Sequence, residues 1–470
     1  MLLFYLETFP FSILRCLSGV FGSRIKVMKL LRLACCLVLL SASTSVPVSA
    51  EESASPPETS ITDYEETNAP SITSTYCYLM DADTNQVLLD RNGEERMEPA
   101  SMTKMMTAIL TIEHLDLNQE VTITDAMWDG LIEANASVAG FWPGNTVTVK
   151  DLLYGILLPS GADAVQAAAI TVSGSVSSFI DLMNEKAAEL GMNDTHFANA
   201  TGLHDSDHYS TAHDMAILLQ YCIQNDTFCQ ILLTPSYTTG PIDASGTTVT
   251  LSSSVWSMVN NGENSYSIDG FLGGKTGYTT EAGRCLASHA EVNGMHLILV
   301  TGQSEGTGHV ADAATLYNWY AQNYSRRTIL EAGQSIASIP VVYSLPEATL
   351  ETSAADTVTM DLPSDAEVSI VSDLPETIEA PISVGQQLGT YSVSVNDQIL
   401  YTASAVSDQS VSRSTLAVIL ARLDDLWTNH RVFAIALIVL ILLLIRIIHV
   451  QIHNARVRKK RRNRKHRRHS

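Results

Sequence analysis

A serine and a lysine three residues apart, in the run Ser101-Met102-Thr103-Lys104, constrain this 470-residue chain more tightly than any other feature. Residues at that spacing share one helix face, so hydroxyl and ε-amine come within hydrogen-bond reach when the segment is helical. A serine hydroxyl is a poor nucleophile until a neighbouring base takes its proton. Burial beside other cationic groups lowers a lysine pKa until neutral amine is available at working pH. Pro99 and Ala100 suit a helix entry, which puts Ser101 in the first turn. There the helix dipole and the unpaired backbone N–H groups favour negative charge. Alone the pair is a weak signal, because this spacing arises by chance in long chains.

Two later segments strengthen it: Pro159-Ser160-Gly161-Ala162-Asp163 and Gly273-Gly274-Lys275-Thr276-Gly277. Ser-x-x-Lys, then Ser-x-Asn, then Lys-Thr-Gly is the motif order of penicillin-binding proteins and class A β-lactamases. Further blocks narrow the choice. Met183 to Met192 leads into Thr195-His196-Phe197-Ala198-Asn199-Ala200-Thr201-Gly202-Leu203, and His208-Tyr209-Ser210-Thr211-Ala212-His213-Asp214-Met215-Ala216 follows. On these residues the chain resembles the serine-type D-alanyl-D-alanine carboxypeptidases, the low-molecular-mass penicillin-binding proteins, from about Thr73 to about Asn323.

The resemblance implies a role for each motif residue. Ser101 is the acyl-forming nucleophile and Lys104 its proton acceptor. Ser160 relays a proton between the lysine and the leaving amine. Lys275 and Thr276 receive the substrate's terminal carboxylate, and Gly277, lacking a side chain, lets the substrate backbone approach. Backbone N–H groups of Ser101 and Tyr278 form the oxyanion hole, where such donors are typically worth ~3 kcal/mol each. The chain departs from the pattern once. Ala162 stands where the family usually has Asn, whose amide holds the lysine and a substrate carbonyl. Asp163 suits a cap at the start of the following helix.

The ends say where such a chain works. Residues 1–50 hold Arg24, Lys26, Lys29 and Arg32, an apolar stretch from Leu33 to Leu40, and small residues ending Val48-Ser49-Ala50. That is the layout of a secretory signal peptide, and Met28 is an alternative start. Val432 to Ile448 is apolar except for Arg446, and ten Lys or Arg crowd Arg456 to Arg468. A transmembrane helix over 431–450 with a basic tail over 451–470 follows, the tail cytoplasmic by the positive-inside rule and the main body outside. A buried core helix is the alternative, and ten cations are hard to place beside a core.

The net charge of −22 hides a division. Between Glu51 and His430 there are eleven Lys and Arg against forty-nine Asp and Glu, a net −38. So acidic a surface argues against nucleic acid as a partner. Cys77, Cys222, Cys229 and Cys285 remain after export and read as free, mostly buried thiols; Cys222 and Cys229 could bridge only across a helix break near Asn225-Asp226.

Composition then divides the body. Residues 51–72 form a Ser/Thr/Pro/Glu spacer expected to be disordered. Residues 73–330 hold the catalytic serine peptidase domain. Strand-like runs at Tyr76–Met80 and Gln86–Leu89 precede helical patterns at Met102–Leu115, Val149–Leu158, Ala162–Val172 and Val176–Leu190. Paired strands at Cys285–Ala290 and Met295–Val300 flank Asn293-Gly294. Strands, helices, then strands predict an α+β fold with helices packed on an antiparallel sheet, as the resemblance also implies. Residues 339–406 read as a small all-β domain. Residues 412–430 form an amphipathic connector, with Leu416, Ile419, Leu420, Leu423, Leu426 and Trp427 on one face.

The expected function is removal of the terminal D-alanine from peptidoglycan stem pentapeptides through an acyl-enzyme at Ser101. β-lactam antibiotics are expected to acylate the same serine, and no cofactor is required. An impaired penicillin- or wall-binding protein is the alternative that Ala162 raises; endopeptidase action on crosslinks is another. A metal-dependent route would draw on His196, His204, Asp205, Asp207, His208, His213 and Asp214. These lack a regular helical ligand pair and fall inside the serine-family block, so no metal is expected.

Overall fold

The computed structural model describes residues 60–61, 69–262 and 265–466. The signal-peptide reading and the choice between Met1 and Met28 lie outside these residues.

The first part is built on five strands: β1 (Tyr76–Asp81), β2 (Val87–Arg91), β3 (Phe271–Thr279), β4 (Gly283–Val292) and β5 (Met295–Ser304). They form one antiparallel sheet in the order β2-β1-β5-β4-β3. The β4–β5 hairpin turns at Asn293-Gly294, as its sequence predicts. Between β2 and β3 lie α1 (Lys104–His114), α2 (Val149–Leu157), α3 (Ala162–Ser173), α4 (Val176–Glu189), α5 (Ala212–Cys222) and α6 (Asp226–Leu232). A 3-10 turn, Ala100–Thr103, leads into α1.

Both faces of the sheet are covered, which is why β1 reads as an almost unbroken apolar run. Side chains alternate along a strand. Tyr78, Met80, Ala287, Ile298 and Val300 face the helical layer, where Met105, Leu152 and Val165 are buried. Cys77, Leu79, Leu286, Leu297 and Leu299 face the other way, onto α7 (Gly308–Asn323), through Val310, Leu316 and Tyr317. Tyr317 donates to the Ser288 carbonyl at 2.9 Å and Tyr320 to that of Leu88 at 2.7 Å, so the buried phenols are satisfied. The α+β expectation is met. The chain also breaks between α5 and α6, where Asn225 caps α6, yet Cys222 and Cys229 stay free, as do Cys77 and Cys285.

The second part is built on β6 (Tyr324–Leu330), β7 (Ser335–Val342), β8 (Ala348–Ala354), β9 (Val358–Pro363), β10 (Val368–Asp373), β11 (Ile378–Glu379), β12 (Gln387–Val395) and β13 (Gln398–Ser407). One sheet runs β10-β12-β13-β8-β7-β11, and β6 pairs with β9. Two boundaries differ from the composition-based reading. The β-rich part begins at Tyr324, upstream of 339, because β6 is a polar strand whose partner is β9. Within the expected spacer 51–72, Ser60–Ile61 pairs with Thr402 and Tyr401 of β13. Backbone pairing needs no apolar side chain, so composition does not register it.

Helix α8 (Thr415–Asn429) and helix α9 (Arg431–His466) follow. In α8, Leu416, Ile419, Leu420, Leu423 and Trp427 are exposed. Ala434–Arg458 of α9 is long and apolar enough to cross a membrane.

An ion cluster joins the two main parts. Arg326 of β6 bridges Asp81 and Asp83 of the β1–β2 turn and donates to Asp361 of β9 at 3.1 Å. His296 stands 2.9 Å from Asp83. The Gln86 side chain closes the seam, donating to the Asp361 carbonyl at 2.9 Å and accepting from its N–H at 3.0 Å. One Asp361 oxygen is buried without a partner. Burial and the Asp81 carboxylate raise the Asp361 pKa well above the ordinary range. A carboxyl that holds its proton more tightly folded than unfolded loses stability as pH rises from its unfolded value to its raised one. Asp361→Asn removes that charge. Its thermal midpoint should gain on wild type progressively between pH 4 and pH 8; a gap independent of pH would refute the assignment.

Candidate active site

Ser101 sits in the 3-10 turn that opens α1, and Lys104 is the first residue of α1 itself. The turn brings the Lys104 ammonium nitrogen within 2.8 Å of Ser101 Oγ. Lys104 is 3 % exposed, and its Nζ also donates to the Thr201 carbonyl at 2.5 Å. Burial drops its pKa to about 7, against the opposing pull of Asp163. Half of these amines are neutral near neutrality, so the group can accept the Ser101 proton.

The Thr201 carbonyl is itself held in place. Asn199 Oδ1 accepts from the N–H groups of Thr201 at 3.1 Å and Gly202 at 2.7 Å. Thr107 of α1 donates to the Ala200 carbonyl at 2.8 Å. Gly202 has φ +76°, and a Cβ there would stand 1.9 Å from the Ala100 carbonyl oxygen. Only glycine lets this loop pass so close under the serine turn.

Ser160 lies in the loop between α2 and α3, as predicted, with φ +66°. Its Oγ accepts from Lys275 Nζ at 3.0 Å, and Lys275 also donates to the Thr276 carbonyl at 2.8 Å. Lys275 is fully buried on β3. Burial, and then the Lys104 charge, push its pKa well below that of a free lysine. β3 runs past the serine turn at close range: a Cβ on Gly277 would stand 3.0 Å from both the Pro99 oxygen and Ala100 Cβ. Thr276 Oγ1 lies 2.7 Å from Ser254 Oγ. The Tyr278 side chain is 55 % exposed, with the Arg284 guanidinium over its ring.

The structure therefore gathers the predicted residues into two amine–hydroxyl pairs, Lys104–Ser101 and Lys275–Ser160, with Thr276, Gly277 and Tyr278 beside them. One expectation needs correction. Asp163 does not cap α3; its carboxylate turns outward and accepts from the N–H groups of Ala139, Gly140 and Phe141 at 2.7, 2.9 and 2.9 Å. Three backbone donors of one loop outcompete the helix end for a buried carboxylate. Ala162 is buried, and its side chain offers nothing to Lys104.

Sequence reasoning overlooked Asn199, Thr201 and Ser254. Asn199 acts only by shaping a loop, Thr201 acts through its backbone carbonyl, and Ser254 sits in an unremarkable Ser-rich run. The histidine-rich stretch is structural in the main. His208 is buried between Thr103 Oγ1 at 2.8 Å and the Ala198 N–H at 3.1 Å, with its pKa lowered to about 4 by burial. It stays neutral and braces the serine turn. His204 gathers with Glu98 and Glu281 from other segments, and His213 pairs with Glu94 at 2.8 Å.

Comparison with known proteins agrees with this geometry. A family model described as D-alanyl-D-alanine carboxypeptidase matches residues 63–305. One described as the C-terminal domain of penicillin-binding protein 5 matches residues 324–413, starting where β6 starts. The chain is 30% identical over 362 residues to the D-alanyl-D-alanine carboxypeptidase DacF of Bacillus subtilis, covering 75% of this chain and 90% of the relative. It is 34% identical over 259 residues to a D-alanyl-D-alanine carboxypeptidase of a Streptomyces species, covering 53% and 88%. The crystal structure of penicillin binding protein 5 from Haemophilus influenzae superposes with a TM-score of 0.60 at 26% identity, covering 74% of this chain and all of that one.

Because neutral Lys104 is the form that accepts a proton, covalent labelling of Ser101 by an acylating probe should accelerate as pH rises through about 7 and then level off. Labelling rates measured by intact-mass spectrometry from pH 5 to 9 check this. A flat profile would remove Lys104 from the reaction.

Proposed function

The chain belongs to the D-alanyl-D-alanine carboxypeptidase family, and from that premise we propose that it removes the terminal D-alanine from peptidoglycan stem peptides through an acyl-enzyme at Ser101. The observation that carries the reading is the 2.8 Å contact between Ser101 Oγ and a lysine amine buried enough to lose its charge.

In this mechanism Lys104 takes the Ser101 proton as Oγ attacks the carbonyl of the penultimate D-alanine. The backbone N–H groups of Ser101 and Tyr278 meet the developing oxyanion. Collapse breaks the amide bond, and the leaving nitrogen receives its proton by way of the Ser160 hydroxyl. Free D-alanine departs, and water hydrolyses the Ser101 ester.

The terminal carboxylate binds at Lys275, Thr276 and the neighbouring Ser254. Lys275 is buried and depressed before substrate arrives. An incoming carboxylate restores its charge, because opposite charge favours the protonated amine. Once charged, Lys275 acts on its partner amine: like charge pushes Lys104 further toward neutrality. Substrate binding therefore primes the proton acceptor. β-lactams carry a carboxylate beside a strained amide and should enter by the same contacts.

The candidate span in α9, with its basic end, supports a membrane-anchored protein whose catalytic part stands outside and whose tail is cytoplasmic. A second reading rests on Ala162. Without an amide there, the Lys104 hydrogen bonds among the described residues go to Ser101 and Thr201, and a chain that acylates but turns over poorly would act as a wall-peptide or antibiotic binder. Endopeptidase action on crosslinks would use the same serine.

D-alanine release from a pentapeptide ending in D-Ala-D-Ala separates these readings. Release that disappears in Ser101→Ala supports the carboxypeptidase; stable penicillin labelling without release supports the binder; failure of both overturns the assignment of Ser101. Restoring the missing amide with Ala162→Asn should raise turnover by about fivefold, the worth of one hydrogen bond of roughly 1 kcal/mol. Steady-state kinetics on the same peptide check it.

A further inference from the structure

The loop that follows Trp128 is fixed to the residues flanking Ser160. Ala162 N–H donates to the Ser137 carbonyl at 2.7 Å, and Asp163 binds the three N–H groups of Ala139 to Phe141. Contact is tight enough that a Cβ on Gly161 would meet the Ala139 nitrogen at 2.6 Å. Any displacement of this loop is thereby a displacement of the Ser160 motif, so the loop forms a rigid wall beside the site.

That wall ends in Trp142, whose indole is 54 % exposed. One face stacks on Trp128, with ring centroids 4.2 Å apart and planes inclined by 16°. Trp128 is buried, and its indole N–H donates to the Phe141 carbonyl at 2.8 Å, which locks the lower ring. Trp142 N–H donates to Asn145 Oδ1 at 2.7 Å, leaving the Asn145 amide N–H groups without a partner among the described residues. A large aromatic surface is thus pre-ordered by stacking and open on one side, and the Asn145 side chain that holds the Trp142 backbone supplies a nearby polar group. A pre-ordered indole offers a large amphipathic contact area with little rotamer freedom left to lose.

We propose that Trp142 and Asn145 form a subsite for a sugar ring of the wall glycan that carries the stem peptide. The inference rests on the peptidoglycan reading above. An indole face receives the C–H face of a pyranose, and an amide edge receives ring hydroxyls. A second stem peptide is the less suitable occupant, because an indole face by itself supplies neither backbone pairing nor positive charge for carboxylates. Since the wall is continuous with Ser160, a sugar docked there holds its attached peptide in line with the cleft.

Full-length protein tests this with two substrates, a disaccharide-pentapeptide and the free pentapeptide, both ending in D-Ala-D-Ala. Wild type should favour the glycan-bearing substrate by about fivefold, expressed in KM and not in kcat. Trp142→Ala should abolish that preference while leaving the free pentapeptide and penicillin acylation unchanged, and Trp142→Phe should retain part of it. Equal use of both substrates by wild type, or an equal loss on both in Trp142→Ala, overturns the subsite. If neither peptide releases D-alanine, the hydrolase reading fails instead. Fluorescence titration with the disaccharide-tetrapeptide then decides the subsite independently: saturable quenching lost in Trp142→Ala supports it, and no quenching refutes it.

Discussion

One desolvated amine organises this molecule. Lys104 is held between the Ser101 hydroxyl and the Thr201 carbonyl with almost no access to water. Keeping an ammonium there would be costly, so burial moves its pKa toward neutrality and makes it a base. That single requirement accounts for much around it. α1 must be a central helix, wrapped by other helices and the sheet. The 199–203 loop must present a carbonyl and no carboxylate, and Asn199 gives it the shape to do so. His208 must remain neutral, since a second cation behind Thr103 would add repulsion to a site that already holds two lysines.

Those two lysines stand in a chain whose stretch from Glu51 to His430 is strongly acidic. The acid whose charge acts on Lys104 is Asp163, and its carboxylate is committed to three backbone donors. The site is therefore insulated from the acidic surface by hydrogen-bonded backbone instead of by distance. A carboxylate released from those donors would pull Lys104 toward its charged form. The wall that supports Trp142 and the basicity of Lys104 thus depend on the same side chain.

Much of this was legible in the chain alone. Ser101 and Lys104 announce themselves by spacing, Lys275-Thr276-Gly277 by its glycines, and the sheet by the Asn293-Gly294 hairpin and the period-two runs on either side. Tertiary contacts hid the rest. Asp163 occupies a position that local rules assign to a cap, and a loop some twenty residues upstream claims it. Thr201 works through its main chain, which no side-chain pattern reports. β6 reads as a polar stretch until Arg326 finds three carboxylates contributed by distant segments. Ser60–Ile61 pairs with β13 as a strand inside a stretch of Ser, Thr, Pro and Glu, so its composition does not foretell the pairing.

Helix α9 carries a geometric consequence of its own. Its 36 residues make a rod of about 54 Å, whereas hydrocarbon needs only about 30 Å of it. Under the anchoring proposed above, the surplus falls at the basic end of the sequence and continues the axis of the helix. A tilt of the spanning stretch in that arrangement would swing the overhang through an arc, giving an anionic surface beside it a lever on the helix's orientation.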